Sequence, residues 1–295
     1  MYSPSLYIKS NEKGVFFKNP IKGNKVFITP EKDMQIQLDL NSDIAMCLDT
    51  MPLIEHSKKQ IQLAVKRTNQ WAKRCKHHHN LIQEKRKIPK NKMQSEKQLL
   101  FGITQGGIHK DLRKISCQQL KEINFDGYSI GGLALGEPRK QMFEMVRIHK
   151  SIIPKNKPCY LMGVGNPIEL LEAISLGVDM FDSRFPTHNA RHGTLFTSQG
   201  KLRIFQKQHE LSKLPIDKNC NCFVCKYRKY TRAYIRYQLS QGEAVGMRLA
   251  TYHNLYYLMN LIKQSREAIK KGKFKSFKDK IQRIYEKAER SVKKV

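Results

Sequence analysis

Five times between residues 43 and 182 a short, continuously apolar run stops at a polar residue or a glycine and gives way to a stretch of helical periodicity. The runs are Asp43 to Leu48 before Asp49, Leu99 to Thr104 before Gln105, Tyr128 to Ile130 before Gly131-Gly132, Tyr160 to Val164 before Gly165, and Val178 to Phe181 before Asp182. Strands that are apolar along their whole length, rather than alternating, belong to parallel sheets covered on both faces. Alternating β and α units with short loops restrict the chain to a doubly wound sheet or a (β/α) barrel. In a barrel the functional residues stand at the carboxyl ends of the strands, so Asp49, Gln105, Gly132 and Asp182 are expected to converge on one mouth.

The flanking sequence reads differently. Gly14 to Thr29 has the pattern of a hairpin, with Val15-Phe16-Phe17 and Val26-Phe27-Ile28 around a Pro, Gly and Asn loop. Thr29-Pro30 suits an N-cap and a first helical position. Lys73 to Lys97 contains a His77-His78-His79 run and the basic stretch EKRKIPKNK. Consecutive residues point in different directions and no cysteine or carboxylate is spaced to join them, so this reads as a solvated loop rather than a metal site. After Asp182 comes a β-like piece, Thr194 to Phe205, then a cysteine cluster and two basic amphipathic helices with Leu255, Leu258 and Leu261 on one face. Lys270 to Val295 reads as an exposed Lys-rich helix. The expected division is a partial barrel core over 1–205 and a zinc-binding, basic helical region over 206–295.

Cys220-x-Cys222-x-x-Cys225, with His253 downstream in helical sequence, supplies the four ligands that close a tetrahedral zinc site and leave no open position. The chain has seven cysteines, an odd number, and three of them crowd into this short segment. That pattern fits metal ligation in a reducing compartment better than a disulfide framework. Cys47, Cys75, Cys117 and Cys159 are scattered and read as packing thiols. With no apolar run of about eighteen residues and no basic-then-apolar leader at the N-terminus, the expectation is a cytoplasmic protein with no membrane segment. The balance of 55 Lys+Arg against 25 Asp+Glu, a net charge of +30, points to a polyanionic partner, nucleic acid first, unless it reflects only Lys-rich solvated surfaces.

Asp182 stands directly after a buried strand and before a loop carrying His188, Arg191 and His192. A carboxylate there could bind a cation, cap a helix or attack an electrophilic carbon. Asp49 has a similar address. Two carboxylates at one mouth suit glycosyl chemistry, one as nucleophile and one for proton transfer, although two strand-end caps would look the same.

SDIAMCLD, LFGITQGG, FDGYSIGGLALGEP, YLMGVGNP, GVDMFDSRFPTHNARHGTLF and CNCFVC with YHNL occur in this order between about Gly14 and about Phe277. Together they resemble the tRNA-guanine transglycosylases, or queuine tRNA-ribosyltransferases. The resemblance implies a pentosyltransferase of queuosine modification, built as a (β/α)8 barrel with one structural Zn2+, that exchanges the wobble-position guanine of certain tRNAs for a 7-deazaguanine. It implies that Asp182 is the nucleophile at ribose C1′ and forms a covalent intermediate. Asp49 and Gln105 would hydrogen-bond the purine edge, with the backbone around Gly132 and Leu133 completing the pocket. Gly163, Val164, Gly165, Asn166, Pro167, Ile168 and Glu169, and further on Thr187, His188, Asn189, Ala190 and Arg191, match segments that contact RNA. Cys220, Cys222, Cys225 and His253 match the zinc ligands, and a homodimer or a partner subunit would fit the family.

The sequence also departs from the pattern. The family's general base lies in a DSGGFQ motif on an earlier strand, and no DSGG occurs here. An N-terminally truncated member with about five of eight strands is therefore expected, an open barrel with bare edges that should fold poorly alone. Ser183-Arg184 and His188 replace a small apolar pair and an arginine, and two extra residues follow Cys225. Leu135 stands where a glycine would make room for queuine, which favours the smaller preQ1. The alternatives are a non-catalytic tRNA-binding or accessory subunit and an inactive fragment.

Overall fold

An antiparallel three-stranded sheet comes first, formed by β1 (Tyr7–Asn11), β2 (Gly14–Lys18) and β3 (Lys25–Ile28). The hairpin of β2 and β3 follows the expected alternation, with Phe16 opposite Phe27 and their rings stacked at 4.2 Å. β1 was not anticipated, because YIKSN is mostly exposed and carries too little apolar periodicity. Helix α1 (Pro30–Asp39) starts as its sequence dictates: Thr29 Oγ1 accepts the Lys32 N–H at 3.2 Å, and Pro30 occupies the first turn.

The computed structural model describes residues 6–52, 55–85 and 97–292. The chain divides into two compact units, one of Met1–Met162 with Leu176–Met180, the other of Gly163–Ser175 with Phe181–Val295. The first is organised on five strands in chain order, β4 (Ile44–Met46), β5 (Leu99–Thr104), β6 (Gly127–Ile130), β7 (Cys159–Leu161) and β8 (Met180–Phe181). Pairing is parallel along β4 to β7, with Met46 beside Phe101 and Ile103 beside Ser129. The first unit also holds the helices α2 (Lys58–Lys85), α3 (Lys110–Ile123) and α4 (Arg139–Ile152), whereas α5 (Pro167–Ser175) belongs to the second unit. This is the parallel sheet of a half-barrel, the fold class expected from the repeating pattern. Phe101, Phe125 and Tyr128 fill the space beside the strands, and Gly127 has none to spare: a Cβ there would lie 2.3 Å from Phe101 Cζ. Met34, Cys47, Cys75, Leu100, Cys117 and Leu120 complete a buried cluster under the helices.

The histidine run is a correction. It lies within α2, not in a loop, and its three rings leave the helix in different directions. His79 is buried, with Nε2 3.3 Å from Gln83 Nε2, and burial lowers its pKa to about 4. Residues 86–92 of the basic stretch lie outside the described residues.

The second unit contains α6 (Phe185–Arg191), a hairpin of β9 (Thr194–Thr197) and β10 (Gly200–Arg203), a short helical turn at Phe223–Tyr227, and the helices α7 (Arg232–Ser240), α8 (Ala244–Lys270) and α9 (Phe274–Val292). Its core joins Ala190, Leu195, Ile204, Ile216, Val224, Ile235 and Leu249 to the thiols of Cys222 and Cys225. Of the leucines expected on one face of α8, Leu258 and Leu261 are buried and Leu255 is 43% exposed. A three-residue step falls about 60° short of a full turn, so two such steps carry the first leucine off the stripe. α9 is not simply a surface element, since Tyr285 is buried and donates its hydroxyl to Tyr257 Oη at 3.0 Å. Asn254, also buried, accepts from Phe196 N–H at 3.0 Å and donates to the carbonyls of Pro186 and Thr194, both at 3.0 Å. One side chain thereby ties α6, β9 and α8 together.

Candidate active site and metal centre

In the first unit, the chain leaves β4 at Asp49 and β5 at Gln105, and these two side chains meet. Gln105 Nε2 donates to Asp49 Oδ2 at 2.5 Å. Gln105 is fully buried, and its backbone N–H is held by Ser116 Oγ at 3.0 Å. The glycines after β6 allow this placement: a Cβ at Gly131 would lie 2.6 Å from Gln105 Nε2, and one at Gly132 2.5 Å from Oε1. Gly132 also has φ +66°, a conformation that disfavours any side chain. Leu133 is buried. Two features of the Asp49–Gln105 pair bear on ligand binding. Burial raises the Asp49 carboxyl above its ordinary range, and Gln105 Oε1 is buried with no hydrogen-bond partner among the described residues. A buried acceptor without a donor costs about 1–3 kcal/mol, which a ligand N–H arriving there would recover.

In the second unit, Asp182 follows β8, is exposed, and accepts the Gly163 N–H on Oδ1 at 3.0 Å. Ser183 Oγ donates to Gly163 O at 3.2 Å and accepts the Phe185 N–H at 3.0 Å. A Cβ at Gly165 would lie 2.5 Å from Ser183 Cβ, so glycine is what lets the two segments touch. The segment that begins at Gly163 is thus anchored beside Asp182, and Thr187 to Arg191 follow within α6. Gly163, His188 and Arg191 are exposed, Ile168, Glu169, Thr187 and Asn189 half-buried, and Val164, Gly165, Asn166, Pro167 and Ala190 buried. His188 stacks on His192 with ring centroids 4.3 Å apart.

The cysteine cluster and His253 converge as their spacing requires, with the four ligand atoms within 4.8 Å of one another. His253 Nδ1 lies 3.4 Å from Cys225 Sγ, 3.6 Å from Cys222 Sγ and 3.8 Å from Cys220 Sγ. A tetrahedral ion with bonds of about 2.3 Å to sulfur and 2.0–2.1 Å to nitrogen sets these atoms about 3.5–3.6 Å apart. The cluster therefore fits one metal ion. The histidine is already oriented, because Nε2–H donates to Phe196 O at 2.8 Å and leaves Nδ1 as the ligand. Hydrogen bonds from Cys220 and Cys225 hold the Cys222 thiol well below its ordinary pKa, so a thiolate is available. Among the described residues no other group of metal-ligating side chains clusters in this way.

Arg113 was not singled out from sequence, although the signal was present. It shares the buried face of α3 with Ser116, Cys117 and Leu120, an unusual place for an arginine. Among the described residues no helix is long and apolar enough to cross a membrane.

A family model described as queuine tRNA-ribosyltransferase matches residues 1–287. A queuine tRNA-ribosyltransferase of Halothermothrix orenii is 44% identical over 274 residues, covering 93% of this chain and 69% of that protein. One from Fusobacterium nucleatum is 45% identical over 280 residues, 94% and 71% of the two chains. One from Thermotoga maritima is 41% identical over 278 residues, again 94% and 71%.

Proposed function

Because the chain belongs to the queuine tRNA-ribosyltransferase family, we propose that it exchanges guanine at the wobble position of tRNA for a 7-deazaguanine, with Asp182 as nucleophile. Family membership makes it a pentosyltransferase acting on tRNA. The observation that carries the finer reading is the Asp49–Gln105 pair with its unpartnered buried acceptor. A carboxylate and an amide side by side complement the N–H groups and O6 of a guanine edge.

In the proposed reaction, a carboxylate oxygen of Asp182 bonds to ribose C1′ as the C1′–N9 bond breaks. The bonding pair leaves with guanine, which takes up a proton. The incoming base then loses a proton from its ring nitrogen, attacks C1′ and releases Asp182. An oxocarbenium-like centre is best met by a close carboxylate, and the Gly163 N–H keeps Asp182 aimed. The RNA must present its target base out of the stack, and His188 and Arg191, exposed on α6, would contact its backbone. Leu135 and Gly132 both line one small cavity, and a leucine there, bulkier than a glycine, is the reason to favour preQ1 over queuine as the incoming base. Held by Cys220, Cys222, Cys225 and His253, a Zn2+ would supply rigidity, since four protein ligands leave no open position. A second copy or a partner subunit, and a cytoplasmic setting with its tRNA supply, complete the reading.

The alternative reading is a non-catalytic tRNA-binding or accessory subunit. One assay decides between them. The chain is mixed with a wobble-guanine tRNA and a 7-deazaguanine, and denaturation-resistant protein–RNA adducts are sought. The catalytic reading expects an adduct that Asp182→Asn abolishes; an adduct yield unchanged by that substitution refutes the nucleophile assignment.

A further inference from the structure

Arg113 is the one fully buried arginine among the described residues. No carboxylate oxygen of those residues pairs with its guanidinium, and its Nε has no acceptor. Glu137 is near enough to favour its charge without pairing with it, and a buried cation with no paired carboxylate is retained at a cost. Burial lowers its pKa to about 10, which still leaves it charged at neutral pH.

What it does hold is backbone. Nη1 donates to Thr104 O at 2.9 Å, and Nη2 to both Gly107 O and Gly131 O at 3.0 Å. These carbonyls lie on the two loops at the carboxyl ends of β5 and β6, directly beside Gln105 and Gly132. The fit is close: a Cβ on Gly106, which has φ +131°, would come within 2.7 Å of Arg113 N. The two loops are also cross-linked directly, since the Gly131 N–H donates to Thr104 O at 2.9 Å. Thr104 Oγ1 is in turn fixed by its bond to Ser129 O at 3.1 Å and by His149 Nδ1 at 3.0 Å.

We propose that Arg113 is the positioning residue of the base pocket, a guanidinium that ties the carbonyls of Thr104, Gly107 and Gly131 and so fixes Gln105 and Gly132 against each other. The proposal rests on the reading of Asp49 and Gln105 as the base-binding pair. Only a planar fork of donors can reach three carbonyls on two loops; an ammonium, a point donor, cannot span them. Arg113→Lys keeps the charge and loses the span.

The test compares wild type with Arg113→Lys and Arg113→Ala in three measurements. Guanine affinity, read by calorimetry, is expected to fall at least tenfold in both variants, and added guanidinium ion is expected to restore it in Arg113→Ala where methylammonium does not. Amide exchange is expected to quicken in residues 105–109 and 131–135 more than elsewhere. Guanine binding within twofold of wild type, with unchanged exchange in these loops, overturns the proposal. If wild type itself binds no guanine, the base-pocket reading fails, while the exchange measurement still decides the clamp. If neither variant folds, nitrogen NMR of the wild-type guanidinium groups decides. A three-carbonyl clamp requires one arginine with resolved, slowly rotating Nη signals, and their absence overturns it.

Discussion

Replacing Asn254 by alanine removes three hydrogen bonds of one buried side chain, and it is the substitution whose effect the structure specifies most fully. The Phe196 N–H and the Pro186 and Thr194 carbonyls lose their amide partner. Each buried group left without a partner costs about 1–3 kcal/mol. Allowing for water reaching part of the space, the expected loss is about 3–5 kcal/mol, a large share of the 5–15 kcal/mol that usually holds a domain together. Asn254→Asp separates the contributions. Its carboxylate can still accept from Phe196 N–H, but it faces two carbonyl oxygens to which it can donate only when protonated. The aspartate pKa should therefore be raised in the folded state. Its stabilising bond is then present at low pH and lost as pH rises from the unfolded value of about 4 through the raised one. Urea titrations followed by circular dichroism at pH 7 and pH 5 measure both variants. An alanine variant within about 1 kcal/mol of wild type, or an aspartate variant as stable as wild type at pH 7, would refute the account of this side chain.

Three further outcomes are expected. Gly127→Ala should destabilise the first unit by about 1–3 kcal/mol in urea titration, since its Cβ would lie 2.3 Å from the buried Phe101 ring. Asp33, whose carboxyl burial pushes up to about 6, holds its proton longer in the folded chain than in the unfolded one, so stability falls as pH rises from about 4 to about 6. Asp33→Asn should remove that slope and stabilise the chain by about 1–3 kcal/mol at pH 8 with little change at pH 4, as thermal melts across pH would record. Finally, one metal ion per chain should be released on thiol modification, read by a colorimetric chelator, and His253→Ala should abolish that stoichiometric release.

The strands of the parallel sheet were legible because burial on both faces writes itself as unbroken apolar runs, and Leu99 to Thr104 matches β5 at both ends. The cluster of Cys220, Cys222, Cys225 and His253 was legible because soft side chains at such density favour a common centre, and the four do come together. The histidine run was misread for the opposite reason. Lys, His and Asn give a polar stretch, and only the buried positions Trp71, Ala72, Cys75 and His79, spaced by helical turns, reveal the side that packs. β1 was missed because an edge strand of five residues can be held by backbone bonds alone, which no side-chain pattern announces. The glycines around Gln105 could be recognised as special, but what they make room for, an amide between two loops, exists only in three dimensions. Arg113 shows the same limit: its position on an apolar face was visible, its three carbonyl partners were not.

The metal cluster also has a history in time. Its three cysteines leave the ribosome together, and the histidine follows 28 residues behind Cys225. At ordinary rates of synthesis that gap lasts roughly one and a half to six seconds. During it the nascent chain carries a thiol trio that cannot yet be closed by nitrogen, because both His253 and the helix that fixes its ring are still being made. An ion captured early would sit with an open position, and an oxidant would find sulfurs not yet buried. If the cluster takes up an ion, metal supply and redox state during that interval would bear on how much of this chain matures.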